Sequence, residues 1–245
     1  MKPKGTSVVD LRDLVLEAHG VARWKRFRKI EADMSIVGAL WARKGWPDAL
    51  KNVRVTAEIT EQQLNYEPFT AEGLRSFYCP DLVAIETLDG KRLKQRTNPR
   101  SAFASHKPAT PWDDLHLAYF SGYAMWNYLN TPFIFARPGF AAEEIGPWVE
   151  GHQTWRRLKV SFPESVATHS PEQVFYIDDR GLIARLDYSA DISGGVPSAH
   201  YPSDYRDFEG IMIPTRRRAY LRNIDGTPIQ DGAVVAIDIS NMRFS

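Results

Sequence analysis

Residues 51–60, KNVRVTAEIT, alternate without a break: Val53, Val55, Ala57 and Ile59 fall on one side, and Asn52, Arg54, Thr56 and Glu58 on the other. Successive side chains of a β-strand point to opposite faces, so a clean period of two marks a half-buried strand. Similar runs occur at 34–42, 62–67, 74–78, 82–87, 155–162, 173–178, 182–188, 211–222 and 233–240. Turn signals separate them: LDG at 88–90, DDRG at 178–181, and DG at 225–226 and 231–232. About ten strands in consecutive hairpins require a large antiparallel sheet with one wet face and one face that needs cover.

Two segments supply that cover. Leu11, Leu14, Val15, Ala18 and Ala22 recur at helical spacing over 10–28, with Ser7 or Asp10 available as a cap. The basic cluster RWKRFRK at 23–29 suits the C-terminal end of that helix through the macrodipole. The stretch 111–130, PWDDLHLAYFSGYAMWNYLN, follows a proline, carries acids in its first turn and has no period of two. It predicts a helix over 112–129 that is apolar almost all round and therefore buried on several sides. The expected fold class is α+β: a curved antiparallel half-barrel of about ten strands wrapped around the leading helix and the inserted helix. Strands fill 34–103 and 155–240, 1–9 is a flexible N-terminus, and the proline-bounded stretch from 131 to 148 is a loop with a short helix. No repeat or linker divides the chain, so 1–245 is expected to be one domain.

Bulk properties exclude several functions. A net charge of +1 over 245 residues gives no electrostatic drive toward nucleic acid. No apolar run reaches the length of a membrane span. Cys79 is the single cysteine, which rules out an intrachain disulfide framework and fits a reducing compartment. In FYCPD it reads as a small strand-end hydrophobe.

The run HYPSDYRDFEGIMIPTRRRAY, 200–220, places Arg216, Arg218 and Arg222 on the face of Met212, Pro214 and Tyr220, where solvent accounts for them. Arg217 falls among Ile211, Ile213, Thr215 and Ala219, on the inward face. A buried arginine needs a partner. A carboxylate, or the polar tips beside Tyr119, Tyr123 or Trp126, is expected across the sheet.

The aromatic helix is the main functional candidate. Leu115, Tyr119, Tyr123 and Trp126 share one side, and Trp112, His116, Phe120 and Tyr128 lie around the others. Tyrosine and tryptophan carry polar tips that a simple structural plug would not need, although aromatic stripes on buried helices commonly serve packing alone. Tyr119, Tyr123, Trp126 and Arg217 are therefore the expected ligand-binding residues. For acid–base chemistry the candidates are His116, which Asp113 can orient, and His200 with Asp204; helix capping and polar turns explain the same residues without chemistry. The six histidines show no HxH or HxxxH spacing, so no metal site is expected. Nucleophile motifs and glycine-rich phosphate loops are absent, and no cofactor is expected.

The order of a leading helix, antiparallel strands, inserted helices and further strands resembles the LolA-type lipoprotein-carrier superfamily, an unclosed half-barrel. The resemblance rests on ETLDGKRLKQRTNPRSAF (86–103), GHQTWRRLKVSFP (151–163) and QVFYIDDRGLIARLDY (173–188), and extends over about residues 10–240. It implies a hydrophobic cavity between sheet and helices that holds acyl chains. Members of that superfamily are exported or lipid-anchored. Here Asp10, Arg12 and Asp13 interrupt the N-terminal apolar stretch and no lipobox cysteine stands near it, so a cytoplasmic protein is expected. The expected function is a cytosolic binding protein for a hydrophobic or amphipathic small molecule. The alternative is an enzyme using the same cavity, with a histidine acid–base and Arg217 as an anion anchor.

Overall fold

A computed structural model describes residues 10–245, so the flexible segment expected at 1–9 lies outside the described residues. Helices α1 (Leu11–Ala18) and α2 (Val21–Trp24) lead into β1 (Lys29–Val37), α3 (Ala39–Lys44), β2 (Val53–Glu58), β3 (Leu64–Glu67), β4 (Leu74–Cys79), β5 (Leu82–Thr87) and β6 (Arg92–Thr97). Helix α4 (Asp114–Asn130) follows, then β7 (Ala141–Glu150), β8 (Gln153–Ser161), β9 (Glu172–Ile177), β10 (Ile183–Ala190), β11 (Val196–Phe208), β12 (Ile211–Leu221) and β13 (Val235–Phe244).

All thirteen strands belong to one sheet, in the order β6-β5-β4-β3-β2-β1-β13-β12-β11-β10-β9-β8-β7, with every pair antiparallel. The first strand and the last pair in its middle. From β1 the chain steps outward to the edge at β6 and reaches the opposite edge at β7 through the segment that carries α4. It then steps back to the centre. The sheet is large, unclosed and wrapped around the helix that crosses it.

Helix α4 is buried along nearly its whole length because hardly any residue between Leu115 and Asn130 is charged or strongly polar. Its N-terminus is closed by a capping box: Asp113 accepts from the His116 amide at 2.7 Å, and His116 Nδ1 accepts from the Asp113 amide at 3.3 Å. Arg96 and Lys94 of β6 pair with Asp113 and Asp114, each at 2.6 Å. The C-terminus has no basic residue in its own last turn. Arg217 of β12 supplies one, donating from Nη2 to the Tyr128 carbonyl at 2.9 Å. A guanidinium there satisfies an orphan carbonyl and complements the negative end of the helix dipole.

Three strands exceed the ten expected. β6 and β7 are wet edge strands without clean alternation. Pro147 sits at a register shift between Ile145 and Trp148, as proline in an edge strand does; the stretch is a strand rather than the expected loop. In β11 Asp204 has a φ of 53° and no ladder partner, although the register is the same on either side of it, and this irregularity hides a strand that reads as a polar loop. The leading helix expected over 10–28 is two helices, broken at Gly20. Its φ is 90°, and a Cβ there would stand 2.1 Å from the Gly210 carbonyl oxygen. The strand expected at 34–42 begins earlier, at Lys29, and gives way to α3 after Gly38.

Helix α4 approaches the sheet closely at Gly122. A Cβ there would stand 2.5 Å from Cγ and 2.7 Å from Cβ of Tyr78 on β4. Alanine normally favours a helix over glycine by about 1 kcal/mol, but overpacking here costs about 1–3 kcal/mol. Gly122→Ala is therefore expected to lower stability by about 1 kcal/mol, read as a lower urea midpoint. A higher midpoint would contradict this contact.

Candidate functional site

The inner face of β10, β11 and β12 sets the site. Pairing aligns Tyr188 with Ser198 and Leu221, Leu186 with His200 and Ala219, and Pro202 with Arg217. With a rise of about 3.3 Å per residue, these rows descend from the rim of the half-barrel toward its interior. Phe120 and Tyr128 of α4 face them, and α3 leans over the rim with the Leu40 amide bonded to the Val234 carbonyl at 3.0 Å.

Two spaces lie along these rows. Near the rim, Leu40, Phe120, Tyr188, Val196, Ala219 and Leu221 enclose an apolar cavity of about 80 Å³. Arg43 and Lys44 of α3 complete its border. Deeper in, His19, Asn127, Tyr128, His169, Tyr205 and Arg217 border a smaller cavity of about 10 Å³, room for one water molecule.

A hydrogen-bonded cluster separates the two spaces. His169 bonds on both sides, Nδ1 with the Tyr123 hydroxyl and Nε2 with the Tyr128 hydroxyl, each at 2.9 Å. Tyr128 reaches the Tyr188 hydroxyl at 2.9 Å, and the Tyr188 ring stacks on His169 at 4.2 Å. His200 stands edge-on to Tyr128 at 4.6 Å, and neither of its ring nitrogens has a partner among the described residues. Burial and the nearby Arg217 charge lower its pKa well below the ordinary range. Burial also lowers His19 to about 4 and His169 to about 3. All three imidazoles are neutral at physiological pH.

The expected site residues separate on this framework. Arg217 points inward, while Arg216 and Arg218 face outward to Asp238, and Arg216 also reaches Asp204. No carboxylate lies within salt-bridge distance of Arg217 among the described residues; its partners are the Tyr128 carbonyl and the Tyr128 ring, 5.4 Å away. Tyr119 and Trp126 are packed against the β2–β5 half of the sheet, Tyr119 near Tyr78 and Trp126 donating to the Glu58 carbonyl at 2.7 Å. None of the three borders either space, and Tyr123 meets them through His169, Phe120 and Asn127. His116 belongs to the helix cap, His200 to the inner cluster, and Asp204 to the outer face, where it pairs with Arg216. The three acid–base candidates therefore do not meet. Phe120, Tyr188, Lys44 and His169 were missed by sequence reasoning. Phe120 carried a signal, as the aromatic of α4 set off from the Tyr119 stripe. The other three carried none: α3 is too short to show a period, and His169 lies in an irregular loop. Among the described residues no helix is long and apolar enough to cross a membrane, and no cluster of His, Cys, Asp and Glu has metal-holding geometry.

The histidines make stability depend on pH. As pH falls below 6.5 the unfolded chain takes up protons at these sites, while the fold resists until about 4 at His19 and about 3 at His169. Stability is thus unaffected above 6.5 and falls below it, by up to about 1.4 kcal/mol per pH unit for each histidine. His200→Phe removes a group with no hydrogen bond to lose and should flatten the fall in stability between pH 6 and 5. Denaturant titrations with parallel pH profiles for parent and variant would contradict the burial of a neutral imidazole.

No family model matches the chain, and no curated protein matches it in sequence. Solved structures do match in shape. A domain provisionally described as an outer membrane lipoprotein-sorting protein, from Vibrio parahaemolyticus, superposes with a TM-score of 0.55 at 11% identity, covering 96% of this chain and 92% of that one. The LolA superfamily protein NE2245 from Nitrosomonas europaea gives a TM-score of 0.52 at 12% identity over 96% and 93% of the two chains. A DUF1329 family protein from Desulfovibrio piger gives 0.51 at 14% over 96% and 92%. At these identities the likeness is one of architecture, and it agrees with the resemblance read from the sequence: the chain has the LolA-type fold.

Proposed function

We propose that the protein binds a hydrophobic or amphipathic small molecule in the apolar cavity at the rim of the half-barrel. The carrying observation is the hollow itself. Protein interiors are close-packed with few voids, yet Leu40, Phe120, Val196, Ala219 and Leu221 border about 80 Å³ that no side chain fills. An apolar void of this kind is a poor water site and a good one for an apolar group. The shared fold with a protein named for lipoprotein sorting supports the same reading. A cytoplasmic setting completes it, supported by the free Cys79.

In this reading Tyr119, Tyr123 and Trp126 build the helix behind the wall rather than the wall. The anchoring role expected of Arg217 is replaced by helix capping, because the space beside it takes one water and the Tyr128–His169–Tyr188 cluster stands before it. The enzymatic alternative draws no support from His116, His200 and Asp204, which lie in three separate places.

A neutral fluorescent probe, N-phenylnaphthylamine, tests the cavity. The parent protein should bind it saturably. Ala219→Leu fills the hollow and should weaken binding at least tenfold, with melting unchanged or raised; absence of saturable binding to the parent would refute the proposal. Arg217→Met should leave probe affinity within about twofold but destabilise the fold by about 1–3 kcal/mol through the unpaired Tyr128 carbonyl. Loss of probe binding in a stably folded Arg217→Met would return Arg217 to the site.

A further inference from the structure

The border of the rim cavity carries two cations with no anion. Lys44 is only 1% exposed, a rare burial for a lysine. Its Nζ donates to the carbonyls of Pro108 at 2.9 Å and Thr110 at 3.0 Å and lies 4.9 Å from the Trp112 ring centre. Two carbonyls use two of the three ammonium hydrogens. Neither Lys44 nor its exposed neighbour Arg43 has a carboxylate within 4.0 Å among the described residues, whereas the arginines of the outer face, such as Arg216 and Arg218, are paired. The position is held from both sides. The Lys44 carbonyl accepts from the Trp112 amide at 3.1 Å, and Trp46 Nε1 donates to the Trp112 carbonyl at 2.8 Å. Lys44 and Arg43 border the same hollow as Leu40, Phe120 and Val196.

A buried ammonium costs free energy unless it is paired. Here it borders the hollow beside the apolar wall, together with the exposed Arg43. We propose that Lys44 and Arg43 form an anion subsite at the mouth of the cavity, so that the ligand is an anionic amphiphile with its carboxylate or phosphate at Lys44 Nζ and its apolar body against Phe120, Ala219 and Leu221. This rests on the cavity reading above and adds the charge and direction of the ligand. The acid head accepts the remaining ammonium hydrogen and the Arg43 guanidinium reaches it from solvent. Charge-assisted hydrogen bonds of this type give direction to a ligand that the apolar wall holds without preference.

Calorimetric titration with three eight-carbon probes, octanol, octanoate and octyl phosphate, tests the subsite. The parent should bind both acids at least tenfold more tightly than octanol, with the preference shrinking as salt is raised, and the stronger acid identifies the head group. Arg43→Gln should lower the preference at least threefold, and Lys44→Met should abolish it, while octanol affinity stays within twofold. Because Lys44→Met also releases two loop carbonyls, circular dichroism must show it folded; should it not be, Arg43→Gln and the salt dependence of the parent decide. Equal affinity for octanol and the acids would overturn the subsite and leave the cavity standing. An acid preference unchanged in Arg43→Gln and by salt would also overturn it. Binding of none of the three would overturn both readings together.

Discussion

A helix buried on every side must have both its ends satisfied by the rest of the molecule, and that requirement organises this protein. The crossing helix α4 carries the chain from one edge of a thirteen-stranded sheet to the other. At its start the capping box and the β6 cations Arg96 and Lys94 close the positive end. At its finish Arg217 reaches across from β12 to a carbonyl that nothing in the helix's own last turn can serve. The sheet curves because its apolar face has to enclose this one element, and Gly122 lets the two approach until helix backbone meets the Tyr78 side chain. One half of the inner face is filled in this way. The other half, over β10 to β13, is filled less completely, and the rim cavity is what remains.

Two arginines show what burial means in different surroundings. Arg185 is fully buried on the outer face, yet both carboxylates it needs, Asp187 and Glu150, are beside it, with the Gly226 carbonyl at 2.6 Å. The rings of Tyr176, Trp148 and Tyr201 surround its guanidinium at 4.7 to 5.5 Å. That cluster fastens the edge strand β7 and the turn at Gly226 onto the sheet. Arg217 has no carboxylate and works against a helix dipole. Lys44 has neither a carboxylate nor a dipole of comparable length, and it borders the apolar hollow at the rim.

Much of the fold was legible because alternation is a strong signal wherever one face is wet. Val53, Val55 and Ala57 did point inward, and the inward placement of Arg217 followed from counting along β12. What was hidden had specific causes. β6 and β7 are wet on both faces and show no alternation, and β11 is interrupted by Pro202 and the positive φ of Asp204. Arg185 reads as a surface residue because its cover, Trp148, comes from the register shift in β7. The partner of Arg217 is a backbone carbonyl rather than a carboxylate or a tyrosine tip, and the sign of it in the sequence is the absence of a cation from 127–130, the last turn of α4. Tyr119 and Trp126 have the composition of a binding stripe but sit on the side of α4 that faces the filled half of the sheet, and Tyr123 is bonded to His169. Which side of an all-round apolar helix faces a void is decided by the sheet that wraps it.

The central claim is that the void at the rim is a ligand site rather than a packing defect. Methyl-detected NMR during titration of the parent protein with octanoate tests it most directly, since the wall carries Leu40, Val196, Leu221, Val234 and Val235 in one place. The account predicts saturable shifts centred on those methyls, with Ile211 and Val55, buried elsewhere in the core, unmoved. Shifts that are absent at millimolar octanoate, or that centre on residues away from the rim, would contradict it.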